Sequence, residues 1–502
     1  MPSQQRVASS ELVRSLDEGF PPGLLFPKSG PLAAGPPGWY IWRVGSRARL
    51  HLELRQTLKL SLPIVFGQVG QMSMGLVDTA VAGRISLEAL AGLGLATTVF
   101  WGTFHMFMSI LFALDTHLSQ AVGEREFAKV GRFFRHGLAL SILLSIACAG
   151  VTLGIMEAYL RWGRGGADVR LFAQYTRIAV LGLPAGFLFV VLQRYWQARQ
   201  HTVAFAVILI GGNVANLAGN LAFGLGMWGF PRMESAGLAW STTWNRWLML
   251  AIAAGLTAWW LRRERLEEPS APAASLNAAA LAAWGREFAA TAKSILRLGV
   301  PAGLQAALEV GSFIILMLTA SQIGPVELAS CQVCLMLASF SFMFPLGFSA
   351  AAAVRVGTFI GAGDPAAARL AGWMNIGLAA GAMLGFGLLY LAIPETLVGL
   401  LSKDTQVVAL GSKVLLVVAL FQLGDGVQVS ATGALRGLGD TRSPMVANLI
   451  GHYPIGLATG LLLTFAAGMG LVGLWLGLAL GLSVVAGIVL ARWRQTSRRL
   501  TI

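Results

Sequence analysis

Four carboxylates stand inside long apolar stretches of this 502-residue chain: Asp78, Asp115, Glu309 and Asp425. An ionised side chain in a bilayer costs at least a few kcal/mol on insertion scales. Acids at such depth therefore face a protein interior or a wet cavity, and they mark ion or substrate paths. Asp425, in LFQLGDGVQVSATGALRGLGDTRSP, lies well before its apolar segment ends. Glu309, in PAGLQAALEVGSF, is about fifteen residues into its own segment, near mid-membrane at a rise of about 1.5 Å per residue. Two acids brought together disfavour joint ionisation, and a bound proton or sodium ion relieves the repulsion. Glu309 and Asp425 are the candidate ion-coupling pair, with a partner for Asp425 in Lys413 as the structural alternative.

The remaining polar positions carry two readings each. Asp78, in MGLVDTAVAG, binds an ion or substrate, or pairs with a cation such as Arg177. Asp115, in FALDTHLSQAVG, is nearer a segment end, where it caps a helix or pairs with His117. Asn213, Asn216 and Asn220 recur in GGNVANLAGN. Positions 216 and 220 share one helix face, and amides there bond a neighbouring helix or a substrate. Gln71 takes the place of Glu309 in the repeat described below, and joins Asp78, Asn216 and Asn220 as candidate substrate- or ion-binding residues. Trp240, Trp244 and Trp247 form a stripe that attracts a cationic ligand, or packs and anchors at an interface. Cys331 and Cys334 have CxxC spacing, but with no further Cys or His nearby they read as packing residues.

The elements that position these residues are membrane spans. The chain is 56% hydrophobic and 12% charged, with mean hydropathy +0.68, far more apolar than a soluble domain. Twelve apolar segments lie at about 59–82, 88–120, 134–157, 169–196, 203–226, 235–261, 295–321, 327–357, 367–392, 404–434, 444–466 and 470–491. An even count puts both termini on one side, which then holds 28 of the 37 Lys and Arg residues. The positive-inside rule makes that side cytoplasmic. The net charge of +14 thus sits in short loops and tails, which argues for membrane orientation and against a nucleic-acid partner.

The organisation is duplicated. At a gap-free offset of 238, LKLSLP at 58–63 lies on LRLGVP at 296–301, Ile85 on Ile323, Phe104 on Phe342 and Gly123 on Gly361. At offset 239, YWQARQHT at 195–202 overlies ALRGLGDT at 434–441. Six spans per half give a parallel repeat about an axis along the membrane normal, with the substrate path between the halves. The expected division is a disordered or loosely ordered tail at 1–50, an N-lobe of helices 1–6 at 51–261, a cytoplasmic linker at 262–293, a C-lobe of helices 7–12 at 294–493 and a cytoplasmic tail at 494–502. There is no GxxxxGK[ST] phosphate loop, HExxH or DDxxD-like metal motif. An enzyme or an ATP-driven pump has no residues to run on, no cofactor is expected, and the energy must come from an ion gradient.

Several spaced motifs in order carry a family resemblance over about residues 55–490. LPIVFGQVGQMSMGLVDTAVAGRISLEALAGLGL, LGVPAGLQAALEVGSF with TASQIGPVELAS, GTFIGAGDPAAA and FQLGDGVQVSATGALRGLGDTRSP resemble a multidrug and toxic compound extrusion (MATE) transporter of the NorM-type branch. The resemblance implies an all-α fold of two six-helix bundles forming a V, and antiport of sodium ions or protons against amphipathic, cationic compounds. It matches Glu309 and Asp425 to the family's C-lobe acids, Asp78 to its first-span aspartate, and Asn216 and Asn220 to its fifth-span polar pair. Some members have an aspartate at the second of these positions; Asn220 here shifts the expected ion site to the C-lobe. YWQARQHT departs from the family's glycine-bearing turn. The resulting expectation is a monomer in a bacterial inner membrane, in contact with lipids and a small organic substrate. The alternative is a flippase of related architecture for lipid-linked precursors or polysaccharides.

Overall fold

A computed structural model describes residues 46–162, 167–267 and 278–500. The expected N-terminal tail, almost all of it, and the middle of the expected linker lie outside the described residues. Twelve long helices follow in order: α1 (Leu50–Ile85), α2 (Glu88–Gly123), α3 (Phe127–Arg161), α4 (Val169–Ala198), α5 (Thr202–Gly224), α6 (Glu234–Glu267), α7 (Ala283–Ile323), α8 (Pro325–Gly361), α9 (Pro365–Ala392), α10 (Thr405–Gly437), α11 (Arg442–Ala466) and α12 (Gly470–Arg499). Eleven are long and apolar enough to cross a membrane. The other, α6, has the length at 34 residues, but its middle carries Ser241, Thr242, Thr243, Asn245 and Arg246, all buried. A polar face turned into protein lowers hydropathy without exposing charge to lipid.

Loop acids start the helices, as their short side chains dictate. Asp364 accepts from the Ala367 amide at 2.9 Å at the head of α9, and Asp404 from the Gln406 and Val407 amides at 2.8 and 3.2 Å at the head of α10. Pro63 in α1 and Pro301 in α7 occupy equivalent places in the repeat. Both α5 and α11 end in a wide π-turn, at Asn220–Gly224 and Leu462–Ala466. Such turns interrupt the regular ladder and are frequent at functional positions.

Each half has its own core. Phe172, Leu183 and Phe187 are buried in the first, and Trp475, Leu478 and Val414 in the second. Cys331 and Cys334 are buried, unpaired thiols within the second. The Ala-rich part of the expected linker is helical and continuous with α7 from Ala278. Its Thr291 hydroxyl bonds His136 of α3 at 2.9 Å, so the start of α7 packs on the first half rather than lying loose.

The halves meet across the C-terminal ends of α2 and α8, and the contact repeats the sequence symmetry. A Cβ on Gly123 would lie 2.1 Å from the Thr358 carbonyl oxygen, and one on Gly361 would lie 2.0 Å from that of Gln120. The offset of 238 relates both pairs. Only a hydrogen side chain allows backbones this close.

Candidate ion and substrate sites

Asp78 is held in a closed ring of four side chains. Its carboxylate accepts from Asn220 Nδ2 at 2.6 Å and from Thr242 Oγ1 at 3.1 Å. Asn220 Nδ2 also reaches Asn216 Oδ1 at 3.3 Å, and Asn216 Nδ2 donates to Thr242 Oγ1 at 3.3 Å. The i, i+4 spacing of the two asparagines sets both amides toward α1. Gly219 brings α5 against α6, since a Cβ there would lie 2.4 Å from Ser241 Oγ. The ring thus joins three of the expected residues, Asp78, Asn216 and Asn220, and adds Thr242. Arg177, the suggested partner of Asp78, is exposed instead. Gln71 is half-buried and, among the described residues, makes no hydrogen bond to the ring.

The α6 helix also carries an intramembrane cation. Arg246 is buried, with its guanidinium carbon 4.4 Å from the ring centre of Phe100 and 5.8 Å from those of Trp101 and Phe104. Gly182 makes room for it: a Cβ there would be 3.2 Å from Arg246 Cδ. Trp244 and Trp247 face outward, and Trp247 Nε1 bonds the Leu181 carbonyl at 3.2 Å. Their arrangement fits packing and anchoring, not a cation-binding stripe.

The C-lobe acids present the opposite case. Asp425 on α10 is buried and Glu309 on α7 is half-buried. Among the described residues no hydrogen bond or ion pair reaches either carboxylate. Lys413 is exposed, twelve residues before Asp425 and so about 18 Å along the helix, and it cannot be the partner. Gln428, one turn after Asp425, has both amide atoms buried without a partner. Tyr453 of α11 closes over the α7 backbone, donating to the Leu308 carbonyl at 3.2 Å. No group of three His, Cys, Asp or Glu suited to a resident metal occurs among the described residues. Two carboxylates without donors, with the Gln428 amide one turn from Asp425, are oxygen ligands of the kind that a transported proton or a hard monovalent cation takes.

Asp115 corrects the sequence reading. It does not pair with His117, whose ring stacks on Phe133 at 4.6 Å and bonds Ser294 at 3.3 Å. Residues two apart point to different sides of a helix. Asp115 is instead fully buried between Arg194 of α4 at 3.3 Å and Arg436 of α10 at 3.6 Å. Both guanidinium groups lie over the Phe112 ring, at 4.3 and 5.1 Å. Thr116 donates to the Arg436 carbonyl at 2.5 Å and Gln120 to that of Gly437 at 3.0 Å. A second inter-lobe pair joins Glu53 of α1 to Arg355 of α8, which also donates to Gln56 at 2.8 Å. These bonds lie at the end of the bundle where α2 and α8 finish, so the lobes are fastened there.

Comparison with known proteins is consistent over the whole helical region. The MatE family model matches twice, at residues 63–221 and 301–462, and the two matches begin 238 residues apart. A probable multidrug resistance protein NorM of Deinococcus radiodurans is 33% identical over 454 residues, covering 89% of this chain and 96% of its own. The crystal structure of the eukaryotic MATE transporter AtDTX14 superposes with a TM-score of 0.77 at 20% identity, covering 90% of this chain and 98% of that one. An outward-facing multidrug resistance MATE transporter of the MOP superfamily gives 0.77 at 17% identity, covering 89% and 97%.

Proposed function

Because the chain belongs to the MATE family, we propose that it exports amphipathic, cationic organic compounds across a bacterial inner membrane in exchange for sodium ions or protons. It is a multi-pass membrane transporter and not an enzyme. The contrast between the carboxylates carries the coupling assignment. Asp78 and Asp115 already have their donors, whereas among the described residues none reaches Glu309 or Asp425. A cation entering between them removes their repulsion, and the free energy so gained is available to bias the lobes.

In this reading both termini are cytoplasmic, as the distribution of Lys and Arg supports. The fastened ends of α2, α8 and α10 then close the cytoplasmic side, and the path between the lobes leads outward. Ion binding at Glu309 and Asp425 favours the conformer that releases drug; drug binding from inside favours ion release. Reciprocity of this kind is required of any two ligands that share one conformational equilibrium. Asp78, Asn216, Asn220 and Gln71 line the N-lobe side, where a substrate ammonium exchanges with the ring's donors.

The test is efflux of a fluorescent organic cation from liposomes under an imposed sodium gradient and, separately, a proton gradient. Wild type should respond to one of them, and Glu309→Gln and Asp425→Asn should lose the response while still inserting. Gradient-driven efflux at wild-type rate in both variants would remove the C-lobe site. Folded wild-type protein that answers to neither gradient would point to a lipid-linked precursor flippase instead.

A further inference from the structure

His105 stands near the middle of α2, in the apolar run TFHMFM, and belongs to none of the sites above. Its side chain is exposed. His105, Ser109 and Phe112 recur at i, i+4 and i+7 on one face of the helix. Phe112 lies beneath Arg194 of α4 and Arg436 of α10, at 4.3 and 5.1 Å, so that face looks between the lobes. The neighbouring face is closed by α7: a Cβ on Gly303 would lie 2.8 Å from the Met106 carbonyl oxygen, and one on Gly299 would lie 2.2 Å from that of Ile110. His105 thus stands two turns, about 10 Å, from the inter-lobe triad, on the stretch of α2 where the same face is open.

The ring has a defined chemistry there. His105 Nδ1 lies 3.1 Å from the Trp101 carbonyl oxygen. A carbonyl has no hydrogen to give, so Nδ1 is the donor, and in the neutral ring Nε2 is left as a bare lone pair. Among the described residues nothing bonds Nε2. The Trp101 indole lies beside the imidazole, with ring centres 5.5 Å apart and planes at 50°. Arg246 is 5.8 Å from the Trp101 ring centre, and its charge opposes any cation that comes to the indole alone. The equivalent face of α8, at the offset of 238, carries Met336, Phe340 and Met343, of which Met336 and Phe340 are 38% and 41% exposed. Thioether and phenyl surfaces adapt to many apolar skeletons but offer a nitrogen-bound hydrogen no strong acceptor.

We propose that His105 is a specificity-determining residue of the substrate path. Its Nε2 accepts a hydrogen bond from the N–H of a protonated amine, so that ammonium compounds bearing a hydrogen are taken in preference to quaternary ones. The inference rests on the reading of the chain as an exporter of organic cations and narrows the substrate class within it. Both kinds of cation meet the charge of Arg246, and only the one with an N–H has a bond at His105 to offset it.

Binding to the detergent-solubilised full chain tests this without any gradient. The probes are a dansyl-tagged tertiary amine and its N-methylated quaternary analogue, compared at about pH 8, where both are cations and an ordinary imidazole is neutral. Wild type should bind the tertiary ammonium about tenfold more tightly. His105→Phe keeps a ring and removes the lone pair, and should bring the two affinities together. The quaternary compound should bind that variant as it binds wild type, which also shows that the variant is folded. His105→Gln, with an amide oxygen as acceptor, should restore part of the preference, and His105→Leu replaces the phenylalanine variant if that one misfolds. A wild type without the preference, or a His105→Phe protein that keeps it, would overturn the assignment and leave cation export standing. Folded wild type that binds neither compound would remove both.

Discussion

The two lobes share one repeat but treat their buried acids differently. In the N-lobe, Asp78 receives two hydrogen bonds inside a closed ring and Asp115 lies between two guanidinium groups. In the C-lobe, no hydrogen bond or ion pair reaches Glu309 or Asp425 among the described residues. A satisfied polar network specifies and rigidifies a structure; an unsatisfied one is costly to keep. On the proposed function, two copies of one bundle have divided the labour, with Asp115 fastening the lobes, Asp78 held in a polar ring on the substrate side and the C-lobe acids capturing the ion.

The comparison breaks hardest at Asp115, where the lobes meet. Asp115→Asn leaves Arg194 and Arg436 buried without their anion, and loss of one partner of a buried pair costs about 3–5 kcal/mol. Thermal unfolding should fall accordingly, and spin labels on the ends of α2 and α10 should move apart. Unchanged melting and unchanged distances would show that the triad fastens nothing. Asp425→Asn comes next: the coupling between ion and drug should drop by about 100-fold, the size of a coupling free energy near 3 kcal/mol, with melting hardly altered. A variant that melts early and still couples would invert the assignment.

Asp78→Asn should behave the other way. It places an amide where Asn220 and Thr242 both donate, and stranding one buried donor costs about 1–3 kcal/mol. Stability in a melting assay should fall while gradient coupling survives. Asn220→Asp sharpens the contrast, because it sets a second carboxylate beside Asp78 and creates in the N-lobe the repulsion proposed for the C-lobe pair. That variant should acquire an added dependence of efflux on the coupling ion; wild-type ion dependence would argue that a second acid alone does not make a site.

Much of this was legible in the chain. Apolar segments, the 238-residue offset and the depth of four acids gave the helices, the symmetry and the candidates, because bilayer thickness and the price of buried charge act on sequence directly. The partners were not legible. Arg194 is 79 residues from Asp115, and local guesses such as His117 fail on helix geometry. Thr242 looks like any small residue of a span until α6 is set against α5. The low hydropathy of α6 was itself the signal that Thr242 and Arg246 face inward. The symmetric glycines Gly123 and Gly361 were visible as an aligned pair, yet only the crossing of α2 and α8 explains them.

The smallest effect separates the two turns. Burial opposes ionisation of Asp440, but the amide and hydroxyl of Ser443 and the charge of Arg492 outweigh it and hold the carboxyl below the usual range. A depressed carboxylate stabilises the fold fully above its unfolded value, and that contribution is lost as pH falls through the folded one. Ser443→Ala removes the hydroxyl and keeps the amide, so the folded value rises toward the unfolded one: the deficit near neutrality should be about 1 kcal/mol, and the loss on acidification should be smaller and complete at a higher pH. Thermal unfolding followed from about pH 7 to pH 3 resolves it. His201 stands in the N-lobe turn at the place of Asp440, so Ala204→Ser, the mirror substitution, should leave the acid limb of the same curve where it was. A shift there would mean that a carboxylate from elsewhere in the chain takes up the added hydroxyl as Asp440 takes up that of Ser443.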